Sequence, residues 1–441
     1  MIKTAGSAGV LQIPFFVTER EHTVKAAGIT AEYNPLHNGH VYHIARAKEL
    51  SGCDAAVVAL SGDFVQRGAP AVLDKWTRAE HALRCGADLV IEIPALFCLG
   101  NAGQYASAGV KLLESAGVSC ISFGSESGDA GALAGAARFI KEHRSEMDAL
   151  IAGYARAGMS YPAARAKAFE ELGGSREGLA VLSSPNDILA AEYIMAMEKA
   201  VPVPVRREGA GYNDTEGAGH RFMSATGIRD LLCARGDIAG NRILEKMNDY
   251  MPECVMSDVP SADEIAERER RLFDLVRYAV MTTPAELIDD CPSGGEGLGN
   301  LLRAEAGKAD DLDDLILRTK SRRYTYTRIS RLCMQVLLGI RRSEFPAADG
   351  PGYIRVLGFN ETGRSLLSGI KREQSAASHS ETADNGGTLP VITNINKEKS
   401  LISGDAEKML QLDVHAADIY NLITGGSVYD SSDHRQPVRI L

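Results

Sequence analysis

The chain has 441 residues, 45% of them hydrophobic and 24% charged. That balance is globular, and the length is too great for one small domain. Lys plus Arg number 48 against 58 Asp plus Glu, a formal net charge of -10, which excludes a uniformly basic nucleic-acid binder but allows a local basic face.

Residues 1–23 show no clean periodicity and are expected to be an N-terminal extension outside the core, with Val24 marking the native start. The run Ala26 to Thr30 reads as a first strand, and a polar loop AEYNPLHNG leads into a helical pattern from about Gly39 to Leu50. Further apolar runs at Ala55 to Leu60, Leu89 to Ile93 and Val118 to Phe123 alternate with helical patterns at about 73–85 and 102–116. Strands alternating with helices of this length predict βαβ units, a Rossmann-like parallel sheet and ligands at the carboxyl ends of its strands. Residues 133–199 read as mostly helical. A short β-like piece at 203–207 precedes a Gly-rich loop and the sequence SATGIRDLL, which reads as a loop entering a helix. Residues 232–345 are helical and highly charged, and an α/β-like segment follows from about Gly352.

The fold class expected is therefore α/β. A nucleotide-binding domain spans 24–231, a helical region 232–345 and a small C-terminal domain 346–441, the last interrupted by a polar, flexible loop at 374–388. No run of about 18 apolar residues occurs, so no membrane partner is expected. The eight cysteines form no C-x-x-C pair and read as reduced thiols of a cytoplasmic protein, with no metal site.

The strongest chemical signal is Asn34-Pro35-Leu36-His37-Asn38-Gly39-His40, set between a strand and a helix. Pro35 fixes a turn, and Gly39 lets backbone approach a ligand closely. The helix N terminus offers free N–H groups and partial positive charge to phosphate. His37 and His40 can donate hydrogen bonds to charge growing on a phosphoryl group. In Ser224-Ala225-Thr226-Gly227-Ile228-Arg229, Ser224 or Thr226 can cap the coming helix and Arg229 can pair with phosphate oxygens. Arg67, in the polar turn Gln66-Arg67-Gly68 after the second strand, can steady a carboxylate or phosphate or lie on the surface.

The motifs H-N-G-H and SATGIR resemble the H-x-G-H and S-x-T-x-I-R elements of the nucleotidyltransferase superfamily. A narrower resemblance rests on GITAEYNPLHNGHVYHI, LSGDFVQRGAPAVLDKWTRAEHAL, GADLVIEIPALF, FGSESGD, SSPNDILAAEY and KSRRYTYTRISRL, in that order over about 24–370. The chain is identified by them as similar to the bacterial tRNA(Met) cytidine acetate ligases. The resemblance implies activation of acetate by ATP to acetyl-adenylate, then acetylation of N4 of the wobble cytidine of elongator tRNA(Met). It places the ATP loop at Thr30, Ala31, Glu32, Tyr33, Asn34, Pro35, Leu36, His37, Asn38, Gly39, His40, Val41, Tyr42 and His43. Further ATP contacts are implied at Gly124, Asn186 and Arg207, beside Ser224, Thr226 and Arg229, with Mg²⁺ held mainly through the phosphates; Asn186 alone also reads as an N-cap, and Arg206 beside Arg207 leaves a one-residue ambiguity.

The basic stretch from Arg318 to Arg342 carries Lys320, Arg322, Arg323, Arg328 and Arg331, with Tyr324 and Tyr326 among them. Basic residues offer phosphate contacts and tyrosines offer stacking for an unpaired base. The upstream Asp310–Asp314 cluster makes a local ion-pair network the competing reading. Two other functions compete with the ligase: a small-molecule adenylyltransferase acting on a coenzyme precursor, and a non-catalytic tRNA-binding protein. No residue marks itself as the base for the cytosine amine, and no feature sets an oligomeric state.

Overall fold

The computed structural model describes residues 24–207, 222–233, 247–295, 297–345, 348–377 and 389–441. The expected extension at 1–23 lies outside them.

Among the described residues ten strands form in chain order: β1 (Ala26–Ala31), β2 (Ala55–Ser61), β3 (Phe64–Val65), β4 (Ala69–Pro70), β5 (Leu89–Ile93), β6 (Cys120–Ser125), β7 (Val201–Arg206), β8 (Ile354–Phe359), β9 (Val391–Ile392) and β10 (Arg439–Ile440). The main sheet runs β10-β8-β5-β2-β1-β6-β7, with β9 beside β8, while β3 and β4 make a small antiparallel hairpin. The strands from β5 to β7 are all parallel. This is the Rossmann-like α/β architecture expected from the alternating pattern.

The sheet shows why apolar runs, rather than alternating ones, marked its strands. All seven residues of β2 are buried, because helices cover both faces. Val57 and Ala59 enter the cluster shared with the helices Ala102–Ser115 and Pro185–Ala196. Val58 and Leu60 enter the opposite cluster with Ile44 and Ala79. Neighbouring side chains thus feed opposite cores.

From β1 the chain moves outward through β2 to β5, then returns to place β6 on the other side of β1. Strand order therefore reverses between β1 and β6, and a crevice opens beyond their carboxyl ends.

The helical region builds a core from Leu272, Val276, Leu302, Ile316, Ile329 and Leu332. The segment beyond 346, read from sequence as a small domain, does not build a sheet of its own. Its β8 pairs antiparallel with β5. An apolar run cannot reveal its partner, and the otherwise open edge of β5 supplies one. The helix Asp405–Thr424 places Met409 and Leu410 in the sheet core and Leu412, Ala416 and Ile423 in the helical core. The helix Glu361–Ala377 runs into the expected 374–388 loop as far as Ala377, and residues 378–388 lie outside the described ones.

A buried ionic cluster joins these parts. Lys75 Nζ lies 2.7 Å from Glu92, 2.6 Å from Asp433 and 3.7 Å from Asp63. Arg355 pairs with Asp433 at 2.9 Å, and Trp76 Nε1 donates to the same carboxylate at 3.0 Å. The described cysteines are free thiols: Cys53, Cys85, Cys98, Cys120, Cys254, Cys291 and Cys333. No helix among the described residues is long and apolar enough to cross a membrane.

Candidate nucleotide site and basic helix

A cavity of about 300 Å³ fills the crevice at the strand-order reversal. It is lined by Thr30, Ala31, Glu32, Tyr33 and Asn34 at the end of β1, and by His37, Gly39, His40, Tyr42 and His43 of the following helix. Gln66 and Arg67 close one side, and Gly124, Asn186, Arg206 and Arg207 the other. Ser224, Ala225, Thr226 and Arg229 complete it. Most of the ATP-site residues expected from sequence therefore share one space. Pro35, Leu36, Asn38 and Val41 do not line it: Leu36 is a fully buried core residue, and Asn38 Nδ2 donates to the Asp249 carbonyl.

His37 is the N-cap of the helix Asn38–Ser51. Its Nδ1 accepts from Gly39 N at 3.1 Å, while His40 Nδ1 accepts from His37 N at 3.3 Å, so the two imidazoles form a capping box. The rings stack with centroids 3.7 Å apart. Because both Nδ1 atoms accept backbone N–H groups, each ring carries its proton on Nε2 and presents a donor. A Cβ on Gly39 would lie 2.9 Å from His37 Cε1, so glycine is required for the ring to fold back. Burial, then the Arg207 and Arg229 charges, hold His37 down to about 3. Burial, then His37, hold His40 well below the usual histidine range. His43, whose Nε2 lies 3.0 Å from Ser122 Oγ, is held down to about 4 by burial and Arg207. All three rings are neutral at physiological pH.

Arg229 Nη1 donates to the Asn34 carbonyl at 2.7 Å and its Nη2 to Thr226 Oγ1 at 3.1 Å, tying the two motifs together. Ser224 Oγ accepts from Gly227 N at 3.1 Å, the cap anticipated in SATGIR. Asn186 is not a cap: Ser184 precedes the helix, and Asn186 Nδ2 donates to Glu126 Oε1 at 2.6 Å. Arg78, fully buried, donates to the carbonyls of Glu32 and Ser61 and braces the loop from beneath.

Sequence reading passed over Tyr105, Phe123, Tyr193 and Phe222, all of which line the cavity, whereas Gln66 and both members of the Arg206–Arg207 pair line it as well. Phe123 adjoins Gly124, which was anticipated, so strand-end position was an available signal. Tyr105 and Tyr193 sit mid-helix within apolar faces and carried none.

The cavity suits a nucleotide. Arg67, Arg206, Arg207 and Arg229 line it with positive charge that can balance phosphate, and the helix N terminus with the two imidazoles lines the same space. Among the described residues no group of three or more His, Cys, Asp or Glu could hold a metal ion.

The basic stretch lies against this site. The helix Tyr326–Leu337 docks on the Gln66–Gly68 turn, with Ser330 Oγ donating to the Gly68 carbonyl at 2.7 Å. Gly68, at φ 84°, has Arg331 N within 2.3 Å of any added Cβ. Arg331 is drawn against the turn, and its desolvation lowers the guanidinium to about 10. Arg328 donates to the Ser293 and Gly294 carbonyls at 3.0 and 3.1 Å and lies 4.9 Å from the Tyr324 ring centroid. Lys320, Arg322 and Arg323 are exposed. Tyr326 donates to Asp313 and Arg318 to Asp314, so part of the stretch does join the acidic cluster upstream.

Residues 24–436 match the HIGH Nucleotidyl Transferase family model. The tRNA(Met) cytidine acetate ligase of Thermoanaerobacter sp. (strain X514) is 35% identical over 423 residues, covering 93% of this chain and 98% of that protein. The protein of the same name from Clostridium novyi (strain NT) is 34% identical over 93% and 98%. The crystal structure of Thermotoga maritima TmcAL bound with alpha-thio ATP superposes with a TM-score of 0.80 at 30% identity, covering 95% of this chain and all of that one.

Proposed function

The chain belongs to the tRNA(Met) cytidine acetate ligase family of HIGH nucleotidyl transferases, and on that premise we propose that it uses ATP to acetylate the wobble cytidine of elongator tRNA(Met) in the cytoplasm. The single observation that carries the reading is the cavity at the β1–β6 reversal, where paired Nε2–H donors and four arginines converge. An acetate oxygen attacks the α-phosphate of ATP and pyrophosphate leaves. His37, His40 and the helix N terminus donate to the charge that develops on the transferring phosphate. The exocyclic amine of the cytosine then attacks the acetyl carbonyl and AMP departs. A base paired in a helix could not enter the cavity, so the reading requires a base exposed in a single-stranded loop.

Incubation with ATP, labelled acetate and total tRNA tests this. Label is expected in tRNA; AMP transfer to a small metabolite, or RNA binding without transfer, would replace the ligase reading. The exposed positions Lys320, Arg322 and Arg323, beside Tyr324, support phosphate contact by this segment. Arg322→Glu with Arg323→Glu is expected to weaken tRNA binding and flatten its dependence on salt by up to about two units of slope. Titration of labelled tRNA at several salt concentrations checks it, and an unchanged slope would move the RNA contact elsewhere.

A further inference from the structure

The transfer step releases a proton from the attacking amine, and the donors described so far cannot accept it. His37 and His40 have their Nδ1 lone pairs engaged by backbone N–H groups, and burial keeps both rings neutral. His43 faces Ser122 and is likewise held down to about 4. Tyr33, Tyr105 and Tyr193 are pushed further from ionisation by burial.

Glu32 is the one Asp or Glu among the described residues lining the cavity, set among Arg67, Arg206, Arg207 and Arg229. A carboxylate repels both triphosphate and acetate, so anion binding does not account for it. Its position is nevertheless built. Arg78 Nη1 donates to its carbonyl at 2.7 Å, and Gln66 N donates to its Oε1 at 2.9 Å. Its Oε2 has no hydrogen-bond partner among the described residues. The donor Gln66 belongs to the turn on which Ser330 and Arg331 of the basic helix dock. Glu32 thus stands just past the end of β1, held by the turn on which the basic helix docks.

We propose that Glu32 is the general base of acetyl transfer, a role that rests on the ligase reading above. The cytosine N4 lone pair forms the C–N bond to the acetyl carbon, and the carbonyl electrons move to oxygen. Glu32 Oε2 takes the proton from N4. The tetrahedral oxyanion then collapses, the bond from the acetyl carbon to the phosphate oxygen breaks, and AMP leaves with that electron pair. Glu32 returns its proton to water.

Glu32→Gln tests this, because the amide oxygen keeps the acceptor for Gln66 N. Two rates are measured on the full chain: acetate-dependent ATP–pyrophosphate exchange, and single-turnover acetyl transfer to elongator tRNA(Met). Transfer is expected to fall by about 10²–10⁴ and exchange far less, with part of the transfer regained in Glu32→Asp. Equal loss of both rates, with a higher Mg²⁺ requirement for exchange, would make Glu32 a metal or loop residue and overturn the proposal. So would transfer within a few-fold of wild type. Absence of acetate-dependent exchange in the wild-type enzyme would instead remove the ligase reading, and this proposal with it.

Discussion

The double variant His37→Ala, His40→Ala is expected to lose at least about 10²–10³-fold of its acetate-dependent ATP–pyrophosphate exchange while remaining folded. The loss follows from the site's electrostatics. Both rings are neutral and both point a fixed Nε2–H into a cavity that water leaves when the nucleotide enters, where a donor aimed at developing charge is worth most. The structural cost is smaller. Removing an N-cap costs about 0.5–2 kcal/mol, against about 5–15 kcal/mol for a folded domain. Initial-rate exchange and a thermal melt on the same preparation separate the two effects, and near-normal exchange would take both imidazoles out of the chemistry. Gly39→Ala should act in the same direction while leaving both histidines in the sequence, because its methyl would press on the His37 ring, 2.9 Å from Cε1. The depressed His37 value also sets a pH dependence. Between about 6.5 and about 3 the unfolded chain binds a proton that the folded site refuses, so this group's contribution to stability is full above 6.5 and declines as the pH falls through that window.

Asp433→Ala is expected to lower stability by about 3–5 kcal/mol, more than any surface substitution. Asp433 receives Lys75, Arg355 and the Trp76 indole N–H, and none of these groups reaches water. Its removal takes from Lys75 and Arg355 the carboxylate they share and leaves the buried Trp76 N–H without its acceptor. Thermal unfolding reads the effect, and a double-mutant cycle with Lys75→Met identifies its cause. If the cluster is one unit, the second substitution adds much less than its cost alone. Full additivity would mean that Asp433 and Lys75 are not coupled.

The strands β1, β2, β5 and β6 were legible because a sheet covered on both faces demands unbroken apolar runs. The H-N-G-H loop was legible because a glycine and two histidines at a strand–helix junction have few other uses. The partner of β8 was not, since pairing along a sheet edge leaves no trace in spacing. Arg328 and Arg331 show the same limit on the chemical side. As letters they are indistinguishable from Arg322, yet one holds the carbonyls of 293–294, another lies against the 66–68 turn, and Arg322 is exposed. Glu32 stood inside the recognised loop, but its isolation as the cavity's carboxylate depends on which side chains 200 residues away converge there.

The helix Asp405–Thr424 is pinned at one end in the sheet core and at the other in the helical core. Swinging one half against the other would expose both sets of side chains at about 25 cal/mol per Å² of apolar surface. The chain is therefore a fixed gauge: the span from its basic helix to the nucleotide-sized cavity is set by the fold. On the proposed function, an anticodon loop that engages the basic helix has to fit that span by distorting itself, and a loop of the wrong reach holds its cytosine short of the nucleotide cavity.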